Sequence, residues 1–202
     1  MQKIQLTKGC PNHCSYCYEP QEVEIVTPIS ELKIISNQVQ VLDMNFLANP
    51  HCKQAIRWLG EQRVNNKVIY YELVCGIDFR ILDQETANLL KESRFIKVRW
   101  AWDYGFASQR KHRDTLLKLV RAGYDPKSLS VFILTNWKIP YVDCVKKLDL
   151  LKVWNVKVND CCFDGGYAKA KPKDWDIDQV KRFRKMCRKH NQIVNFGIDP
   201  EY

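Results

Sequence analysis

Three cysteines near the start of the chain have a spacing typical of metal binding. Cys10, Cys14 and Cys17 fall in one loop, Gly9 to Pro20, with the pattern C-x3-C-x2-C. Cysteine thiolates are the usual ligands of iron–sulfur clusters, and a cubane cluster takes four ligands. A loop that offers three would leave one iron open to a reacting molecule. The alternative is a structural zinc site with His13 or a distant cysteine as fourth ligand, because zinc closes its tetrahedron with the same thiolates.

The loop resembles that of the radical S-adenosylmethionine (radical SAM) superfamily, in which an aromatic residue, here Tyr16, precedes the third cysteine. The resemblance implies a 4Fe-4S cluster held by Cys10, Cys14 and Cys17, with SAM chelating the fourth iron through its amine and carboxylate. It also implies that the reduced cluster cleaves SAM to a 5'-deoxyadenosyl radical, which abstracts hydrogen from a substrate. A flavodoxin-like or ferredoxin-like external donor would supply the electron.

Length and cysteine usage bound the class of protein. The chain of 202 residues suits a single domain over 1–202 and is too short for a full eight-unit barrel. It has no apolar run long enough to span a bilayer and no signal-peptide pattern, so we expect a cytoplasmic monomer without a membrane partner. Nine cysteines, an odd number, favour free thiols in a reducing compartment over a disulfide framework.

Strands and helices alternate along the rest of the chain, and no hairpin turn signal is recognised between the strands. The predicted strands are Lys3–Thr7, Gln38–Leu42, Val68–Val74, Phe95–Trp102, Leu129–Leu134 and Val153–Val158. The predicted helices are Ser30–Ile35, Pro50–Gln62, Gln84–Lys91, Ser108–Ala122, Pro140–Leu150 and Trp175–His190, with a separate segment at Ile193–Phe196. Such alternation predicts an α/β fold with parallel strands linked by helical crossovers. About six units would make a partial (β/α)6 barrel, which the radical SAM resemblance also implies.

Polar residues follow the strands, where barrels of this kind bind their ligands. Two of these segments, Asp43-Met44-Asn45 and Gly76 to Arg80, resemble the Asp-x-Asn-Phe and Gly-Leu-Asp-x-Arg segments of one branch of the superfamily. The Gly-Gly-Glu-Pro stretch of many other members is missing. On this resemblance Asp43 or Asn45 accepts from the SAM ammonium, and Arg80 pairs with its carboxylate. The expected SAM contacts are Tyr16, Asp43, Asn45, Gly76, Asp78, Arg80, Asp103 and Leu134.

Several of these residues have a structural alternative. Arg80 could instead form an ion pair with Asp78 or Asp83. Asp103 could bind the SAM ribose or cap the helix that follows it. Leu134 could lie beside the adenine, as Tyr16 could, or belong to the core.

The remaining cysteines offer two further hypotheses. Cys75 lies beside the expected SAM site, where its thiol could donate a hydrogen atom to a substrate radical, or it could simply line the barrel. Cys161, Cys162 and Cys187 could hold a second cluster. We regard that as the weaker hypothesis, because adjacent cysteines do not readily ligate one cubane and Cys187 falls on the apolar side of its helix.

Positive charge is concentrated near the C-terminus. The net charge is +9, and nine Lys or Arg residues against three Asp lie between Lys169 and His190. The predicted helix there, about 175–190, is basic on one side, through Lys181, Arg182, Arg184, Lys185, Arg188 and Lys189. With Lys169, Lys171 and Lys173 before it and Trp175 to stack on a base, it could bind RNA or DNA, or it could be a solvated helix face. The irregular stretch from Asp160 to Pro172 could be a lid.

The sequence thus predicts a radical SAM enzyme that cleaves SAM and abstracts hydrogen from an unidentified substrate, with nucleic acid favoured. One alternative is an activase that installs a glycyl radical on a partner protein, against which the missing Gly-Gly-Glu-Pro stretch counts. Another is a non-catalytic, zinc-binding RNA-binding protein. Iron content and SAM cleavage distinguish these classes.

Overall fold

A computed structural model describes residues 1–163 and 174–197. It contains six parallel strands, which are β1 (Gln2–Ile4), β2 (Gln38–Val41), β3 (Tyr70–Leu73), β4 (Arg99–Ala101), β5 (Ser130–Thr135) and β6 (Lys157–Cys162). They neighbour one another in chain order as two three-stranded sheets, and parallel bridges at Tyr71–Phe95 and Ile77–Trp100 join β3 and its exit to β4 and the segment before it. The expectation of an α/β fold with parallel strands is confirmed.

Five α-helices connect or follow these strands. They are α1 (Cys52–Glu61), α2 (Gln84–Glu92), α3 (Gln109–Arg121), α4 (Tyr141–Trp154) and α5 (Ile177–Phe196). The segment between β1 and β2 has no α-helix, because the predicted helix at Ser30–Ile35 is only a 3-10 turn at Ile29–Glu31. This segment instead carries the cysteine loop, which a two-residue antiparallel pairing of Thr7–Lys8 with Glu24–Ile25 closes at its base.

The core lies between the strands and the inner faces of the helices. Val39, Val41 and Tyr71 of the first sheet are almost inaccessible to solvent, as are Val131 and Ile133 of the second. Apolar residues recur at helical spacing on the buried side of each helix, so burial of these faces holds the helices on the strands. The strand ends that carry the polar segments are thereby fixed relative to one another.

The last strand begins later than the sequence pattern indicates. We predicted a strand over Val153–Val158, but α4 continues to Trp154 and ends at Asn155 in the left-handed conformation with φ 57°. Val153 is 80% exposed on the last turn of α4, so its β-branched side chain does not mark a buried strand. Cys161 and Cys162 consequently lie within β6, and not in a loop.

Helix α5 is longer than predicted. A capping box formed by Asp176 and Gln179 begins it, and Gly197 ends it with φ 69°. The segment Ile193–Phe196 is part of this helix, because Val194 continues the buried face of Val180, Phe183, Cys187 and His190. Trp175 is also buried, and its Nε1 donates to the Ile139 carbonyl oxygen at 2.8 Å. The prediction that Trp175 is available to stack on a base is therefore wrong.

The outer edge of β6 is covered by side chains of α5. The Asn191 amide donates to the Val158 carbonyl oxygen and accepts from the Val158 N–H, both at 2.8 Å. His190 Nε2 lies 2.7 Å from the Val156 carbonyl oxygen. The Asn191 amide thus takes the place of a neighbouring strand, and it satisfies backbone groups that an edge strand would leave unpaired.

The sequence patterns did not predict one hairpin. Arg63–Val64 pairs with Lys67–Val68 in an antiparallel turn before β3. Asn65 and Asn66 have φ values of 51° and 61°. Two consecutive left-handed residues make a type I′ turn, which asparagine tolerates better than most residues.

Lys169, Lys171, Lys173 and most of the predicted lid lie outside the described residues. Among the helices that are described, none has the length and apolar character required to cross a membrane.

Candidate active site

The cysteine loop leaves the carboxyl end of the first sheet. Gly9 begins it with φ +82°, and a Cβ there would lie 1.8 Å from the Glu22 carbonyl oxygen, so only glycine fits. The Cys10 N–H donates to the Pro20 carbonyl oxygen at 2.8 Å, and the Cys17 N–H to the Cys14 carbonyl oxygen at 2.9 Å. These two bonds fold the loop back on itself, with its three thiols between them.

Asp43 anchors the chain immediately before this loop. Its carboxylate accepts from the backbone N–H of Leu6 at 2.9 Å, from the N–H of Thr7 at 2.8 Å and from the Thr7 hydroxyl at 2.5 Å. Asp43 is 1% exposed and lines neither of the cavities described below. Burial raises its pKa, while these hydrogen bonds oppose that effect. The expectation that Asp43 contacts SAM is corrected, because its oxygens are already engaged in holding β1 against β2.

Two adjoining cavities open at the carboxyl ends of the strands. The first, the cluster cavity, has a volume of about 180 Å³. Its walls include Cys10, Cys14, Cys17, Tyr16, Asn45, Cys75, Gly76, Asp78, Arg80 and Asp103. The second, the outer cavity, has a volume of about 510 Å³ and shares Cys14, Tyr16, Arg80 and Asp103 with the first. It adds His13, Trp137, Lys138 and Ile139, whereas Tyr104 lines both cavities. Most of the predicted site residues therefore meet in one place.

The three thiols face the cluster cavity without enclosing a metal ion. Within residues 1–163 and 174–197, no three Cys, His, Asp or Glu side chains converge closely enough to hold one. Cys10 Sγ lies 3.5 Å from Asn45 Nδ2, and Cys17 Sγ lies 3.5 Å from the Glu19 N–H. Burial raises the pKa of the Cys14 thiol, so a bound cation would be needed to keep it ionised.

A hydrogen-bond network crosses the floor of the cluster cavity. The Asp78 carboxylate accepts from Asn12 Nδ2 at 2.7 Å, from Asn45 Nδ2 at 2.9 Å and from Arg80 Nε at 2.7 Å. Burial alone would raise the pKa of Asp78, but the bonds from Arg80 and Asn12 lower it below its usual value. The ion pair of Arg80 with Asp78 is the alternative considered above. This ion pair does not use Arg80 Nη1, which instead donates to the Tyr104 hydroxyl at 3.0 Å.

Asn45 has one polar atom without a partner. Its Nδ2 donates to Asp78, whereas its Oδ1 is buried and has no hydrogen-bond partner in the described structure. A buried carbonyl oxygen of this kind is destabilising unless something donates to it. Because Asn45 lines the cluster cavity, a bound ligand with an N–H group would satisfy this oxygen. The residues present therefore fit a ligand that carries an ammonium group.

Tyr16 joins the cysteine loop to the end of β4. Its hydroxyl donates to the Asp103 carboxylate, and its ring meets Trp137 edge-on with centroids 6.1 Å apart. Burial raises the pKa of both Tyr16 and Asp103. Asp103 does not cap a helix, because a 3-10 turn at Phe106–Ser108 lies between it and α3. Both residues face both cavities.

Glycine at position 76 is required by the close approach of β4. Gly76 has φ +86°, and a Cβ there would lie 2.7 Å from the Arg99 carbonyl oxygen. Its neighbour Cys75 also lines the cluster cavity, with Sγ 3.4 Å from Met44 Sδ. Burial raises the pKa of the Cys75 thiol, which therefore stays protonated at neutral pH.

Leu134 does not lie at the site. It is 6% exposed in β5, lines neither cavity and belongs to the core, which corrects the expectation that it contacts adenine. Trp137 occupies the outer cavity instead, packed against Phe163 with centroids 4.4 Å apart. Asn136 turns the chain there with φ 56°. Trp137, Lys138, Tyr104 and Asn12 were missed as site residues, although each lies in a strand-end or cysteine loop.

The other predicted groups lie apart from the cavities. All six basic residues of α5 are exposed, although Arg184 Nε donates to the Asp160 carboxylate at 3.0 Å. Burial raises the pKa of Cys161 to about 12, and Cys187 is buried in the core. No metal-binding group forms around these cysteines in the described part of the chain. The hypothesis of a second cluster gains no support.

Comparisons with known proteins bear on the fold. No family model matches the chain, and no curated protein matches it. Among solved structures, it is similar to the radical S-adenosylmethionine methyltransferase TsrM from Kitasatospora setae, with cobalamin and a [4Fe-4S] cluster bound. The TM-score is 0.65 at 14% identity. The chain shares the fold of the matched part of this enzyme.

A second TsrM structure, with tryptophan and the SAM analogue aza-SAM bound, matches with a TM-score of 0.62, also at 14% identity. The matches cover 80% and 79% of this chain but 36% and 35% of TsrM. The chain thus spans about a third of the length of these structures. At this identity the radical SAM likeness concerns the fold, and the chemistry has to be argued from the residues of the site.

Proposed function

We propose that this protein is a radical SAM enzyme that binds one 4Fe-4S cluster through Cys10, Cys14 and Cys17. The observation that carries the proposal is that these thiols face the same cavity as Asn45, Asp78, Arg80 and Asp103 within a radical SAM fold. A structural zinc site would not account for these polar groups at the strand ends, because zinc needs only its four ligands. With SAM bound, such a cluster supplies a 5'-deoxyadenosyl radical that abstracts hydrogen from a substrate.

The side chains of this protein would bind and orient SAM. The unpartnered Asn45 Oδ1 would accept from the SAM ammonium. Arg80 is held by Asp78 through Nε and Nη2, so Nη1 and the second N–H of Nη2 would be available to the SAM carboxylate. A contact through Nη1 would replace its present bond to the Tyr104 hydroxyl. Asp103 and Tyr16, at the junction of the two cavities, would contact the ribose and adenine.

Binding of a cluster requires the cysteine loop to tighten. The thiols face one cavity but do not yet converge on one point. The loop has no helix or strand within it, so its ends can stay fixed while its middle adjusts. An external one-electron donor, of flavodoxin or ferredoxin type, completes the proposed system.

Anaerobic reconstitution tests this proposal. Protein loaded with iron and sulfide should be brown, and its reduced-cluster EPR signal should change when SAM is added. Dithionite should then release 5'-deoxyadenosine, while Cys14→Ala should release none. Zinc bound one to one, with no SAM cleavage by the iron-loaded protein, would exclude the radical enzyme in favour of a zinc protein.

We further propose that the substrate is a nucleic acid. The support is the exposed basic face of α5, formed by Lys181, Arg182, Arg184, Lys185, Arg188 and Lys189. Lys138 continues the positive charge at the wall of the outer cavity. Phosphate neutralisation by such residues is the sequence-independent part of nucleic-acid binding.

Binding to single-stranded RNA and DNA tests the substrate class. Replacement of Lys181, Lys185 and Arg188 by Ala should weaken binding about tenfold or more at low salt. Arg184 is spared because it pairs with Asp160. The matched control replaces three exposed lysines of the other half, Lys3, Lys33 and Lys67, and should bind as the wild type does. Equal binding by both triple variants would reject α5 as the contact surface.

Cys75 is proposed as a hydrogen-atom donor to the substrate radical. The S–H hydrogen atom would pass to the substrate carbon, which completes a C–H bond and leaves a sulfur radical. One electron from the external donor and one proton from solvent would restore the thiol. After reaction in D₂O, product from the wild type should carry one solvent deuterium, and Cys75→Ala should yield none while it still binds SAM. Deuterium incorporation by the Cys75 variant would show that Cys75 is not the hydrogen-atom donor.

A further inference from the structure

A fully buried lysine lies next to the segment that carries Asp103. Lys147 on α4 is 0% exposed, and its Nζ donates to the carbonyl oxygen of Trp102 at 3.0 Å. Taking an ammonium group out of water is strongly unfavourable unless a carboxylate or several acceptors compensate it. One backbone bond leaves two of its N–H groups to be accounted for. The Trp102 ring also faces this ammonium group, with its centroid 5.6 Å from Nζ, so Lys147 contacts both the backbone and the side chain of Trp102.

Lys147 is linked to Asp103 through the backbone, because its bond to the Trp102 carbonyl oxygen lies directly before Asp103 in the chain. Burial lowers the pKa of Lys147, whereas the neighbouring charges of Cys144, Asp103 and Asp143 oppose this effect. Asp143 already accepts from the Phe106 N–H at 3.1 Å, and Cys144 is a buried thiol with a raised pKa. Asp103 lies directly after Trp102 in the chain, and the Lys147 charge acts on it to lower its pKa.

Asp103 in turn reaches the cysteine loop. It accepts the hydroxyl hydrogen of Tyr16, which stands between Cys14 and Cys17. A charged acceptor makes a stronger hydrogen bond than a neutral one, so the strength of this contact depends on Asp103 being ionised. The described structure thus links Lys147, through Trp102 and Asp103, to Tyr16 of the cysteine loop.

We infer that Lys147 is a positioning residue for the cysteine loop, acting through Asp103 and Tyr16. The bond to the Trp102 carbonyl oxygen fixes the backbone at the exit of β4 and so places the Asp103 carboxylate that accepts from Tyr16. The effect on SAM cleavage rests on the proposed function, whereas the anchoring of the loop does not.

Amide hydrogen exchange of the metal-free protein measures the anchoring directly. In Lys147→Met, a peptide covering residues 9–20 should exchange about fivefold faster, because one hydrogen bond of the loop anchor is weakened. A peptide from β5 should be unchanged. Lys146→Met removes the neighbouring exposed lysine of α4 and should leave the loop at the wild-type rate. Lys147→Arg, which keeps the charge, should restore part of the protection.

The link through Asp103 is tested by combining variants. Asp103→Asn and Tyr16→Phe should each loosen the loop, and Lys147→Met should add nothing further in the Asp103→Asn background. An unchanged loop in Lys147→Met, or effects of Lys147 and Asp103 that add independently, would overturn the inference. If Lys147→Met does not fold, Asp103→Asn and Tyr16→Phe decide, and wild-type loop exchange in both would overturn it.

Enzyme assays then separate this inference from the proposed function. In reconstituted Lys147→Met with the iron content of the wild type, 5'-deoxyadenosine release should fall about fivefold, in proportion to the loop opening. Release at the wild-type rate would show that the loop anchor does not matter for SAM cleavage. A wild-type protein that releases none would sink the proposed function and leave the exchange result standing.

Discussion

Asn45 combines a bonded donor with an unbonded acceptor at the edge of the cluster cavity. Its Nδ2 is fixed by Asp78, so its Oδ1 has a defined direction before any ligand arrives. Asn45→Ala should weaken SAM binding to the reconstituted protein about tenfold, because one charge-assisted hydrogen bond is lost. Equilibrium dialysis under anaerobic conditions measures this.

The control for Asn45 is Asn88→Ala, which changes an exposed asparagine of α2 and should leave SAM affinity unaltered. Wild-type affinity in Asn45→Ala would show that the unpartnered oxygen does not contact SAM. Asn45→Asp should bind SAM no better than Asn45→Ala, because its carboxylate would repel Asp78.

Asp43 is predicted to matter for stability. Asp43→Ala leaves three buried donors of Leu6 and Thr7 without an acceptor, so the free energy of unfolding should fall by about 3 kcal/mol. Urea denaturation monitored by circular dichroism measures this. Asp149→Ala, on the exposed side of α4, should change it by less than about 0.5 kcal/mol. A small effect in Asp43→Ala would mean that water replaces the carboxylate.

Single side chains explain where the sequence prediction reached its limit. Asn45, Asp78, Arg80 and Asp103 were predictable, because polar residues at the ends of parallel strands meet at one edge. The different fates of Asp43 and Leu134 depend on which way each side chain points. A shift of one residue along a strand turns each side chain to the opposite face of the sheet. The sequence pattern alone does not fix the last residue of a strand to within one position.

At the scale of elements, the Asn191 amide of α5 makes both hydrogen bonds to Val158 at the outer edge of β6. Asn191→Ala removes both bonds to Val158 and leaves an unpaired N–H and C=O, so we expect a loss of about 2 kcal/mol in stability. The exposed edge should also promote association, visible by size-exclusion chromatography as concentration rises. Asn195→Ala, one turn later on the exposed side, is the matched control. Equal stability and equal elution of the two variants would contradict this account.

The ion pair between Lys53 of α1 and Asp83 at the start of α2 should be lost in acid. Asp83 caps α2 by accepting from the Thr86 N–H and pairs with Lys53 of α1 at 2.8 Å, and the Lys53 bond is the larger cause that lowers its pKa to about 2. Because the pKa of Asp83 is lower in the folded than in the unfolded protein, its charge stabilises the fold at pH values above the unfolded pKa of about 4. This contribution is lost as the pH falls to about 2. Because Asp83 is half exposed, we expect less than about 1 kcal/mol.

Asp83→Asn isolates this charge, because asparagine is also a good helix cap. The stability difference between wild type and Asp83→Asn, measured by urea denaturation, should shrink between pH 6 and pH 2. A difference that stays constant over this range would show that the ion pair contributes nothing.

Helix boundaries show what local patterns can and cannot decide. The starts of α2 and α5 follow from Asp83 and Asp176, which have capping chemistry visible in the sequence. The ends of α4 and α5 do not, because packing of Leu151 and Trp154 in α4, and of Val194 in α5, carries the helices past their predicted ends. In α5 the decisive contact is Val194 on the buried face, which becomes recognisable only when the partner strand is known.

Across the whole molecule, positive charge is gathered on one side of the fold. Helices α3, α4 and α5 contain fourteen Lys or Arg and four Asp, whereas α1 and α2 carry equal numbers of each sign. The net charge of +9 thus belongs to one half of the outer layer. Charge segregated in this way steers a polyanion towards one face and depends strongly on ionic strength.

Nucleic-acid affinity should therefore fall steeply with salt. If the α5 face contacts about five phosphates of a single strand, the logarithm of the binding constant should fall with the logarithm of salt with a slope of about −3.5. Fluorescence anisotropy measured at salt concentrations between about 50 and 200 mM gives the slope. Replacement of Lys181, Lys185 and Arg188 should reduce its magnitude by about 2. Binding that does not depend on salt would exclude a phosphate-based contact.

The bonds from Asn12 to Asp78 and from Tyr16 to Asp103 also constrain the order in which this protein matures. During synthesis the three cysteines leave the ribosome first, while Asp78, Asp103 and Lys147 follow much later in the chain. The early loop consequently has its local bonds but lacks its contacts with Asp78 and Asp103 until β3 and β4 have been made and packed. Delivery of iron and sulfide in the cell should therefore follow folding, and a nascent chain arrested before β4 should not retain a cluster.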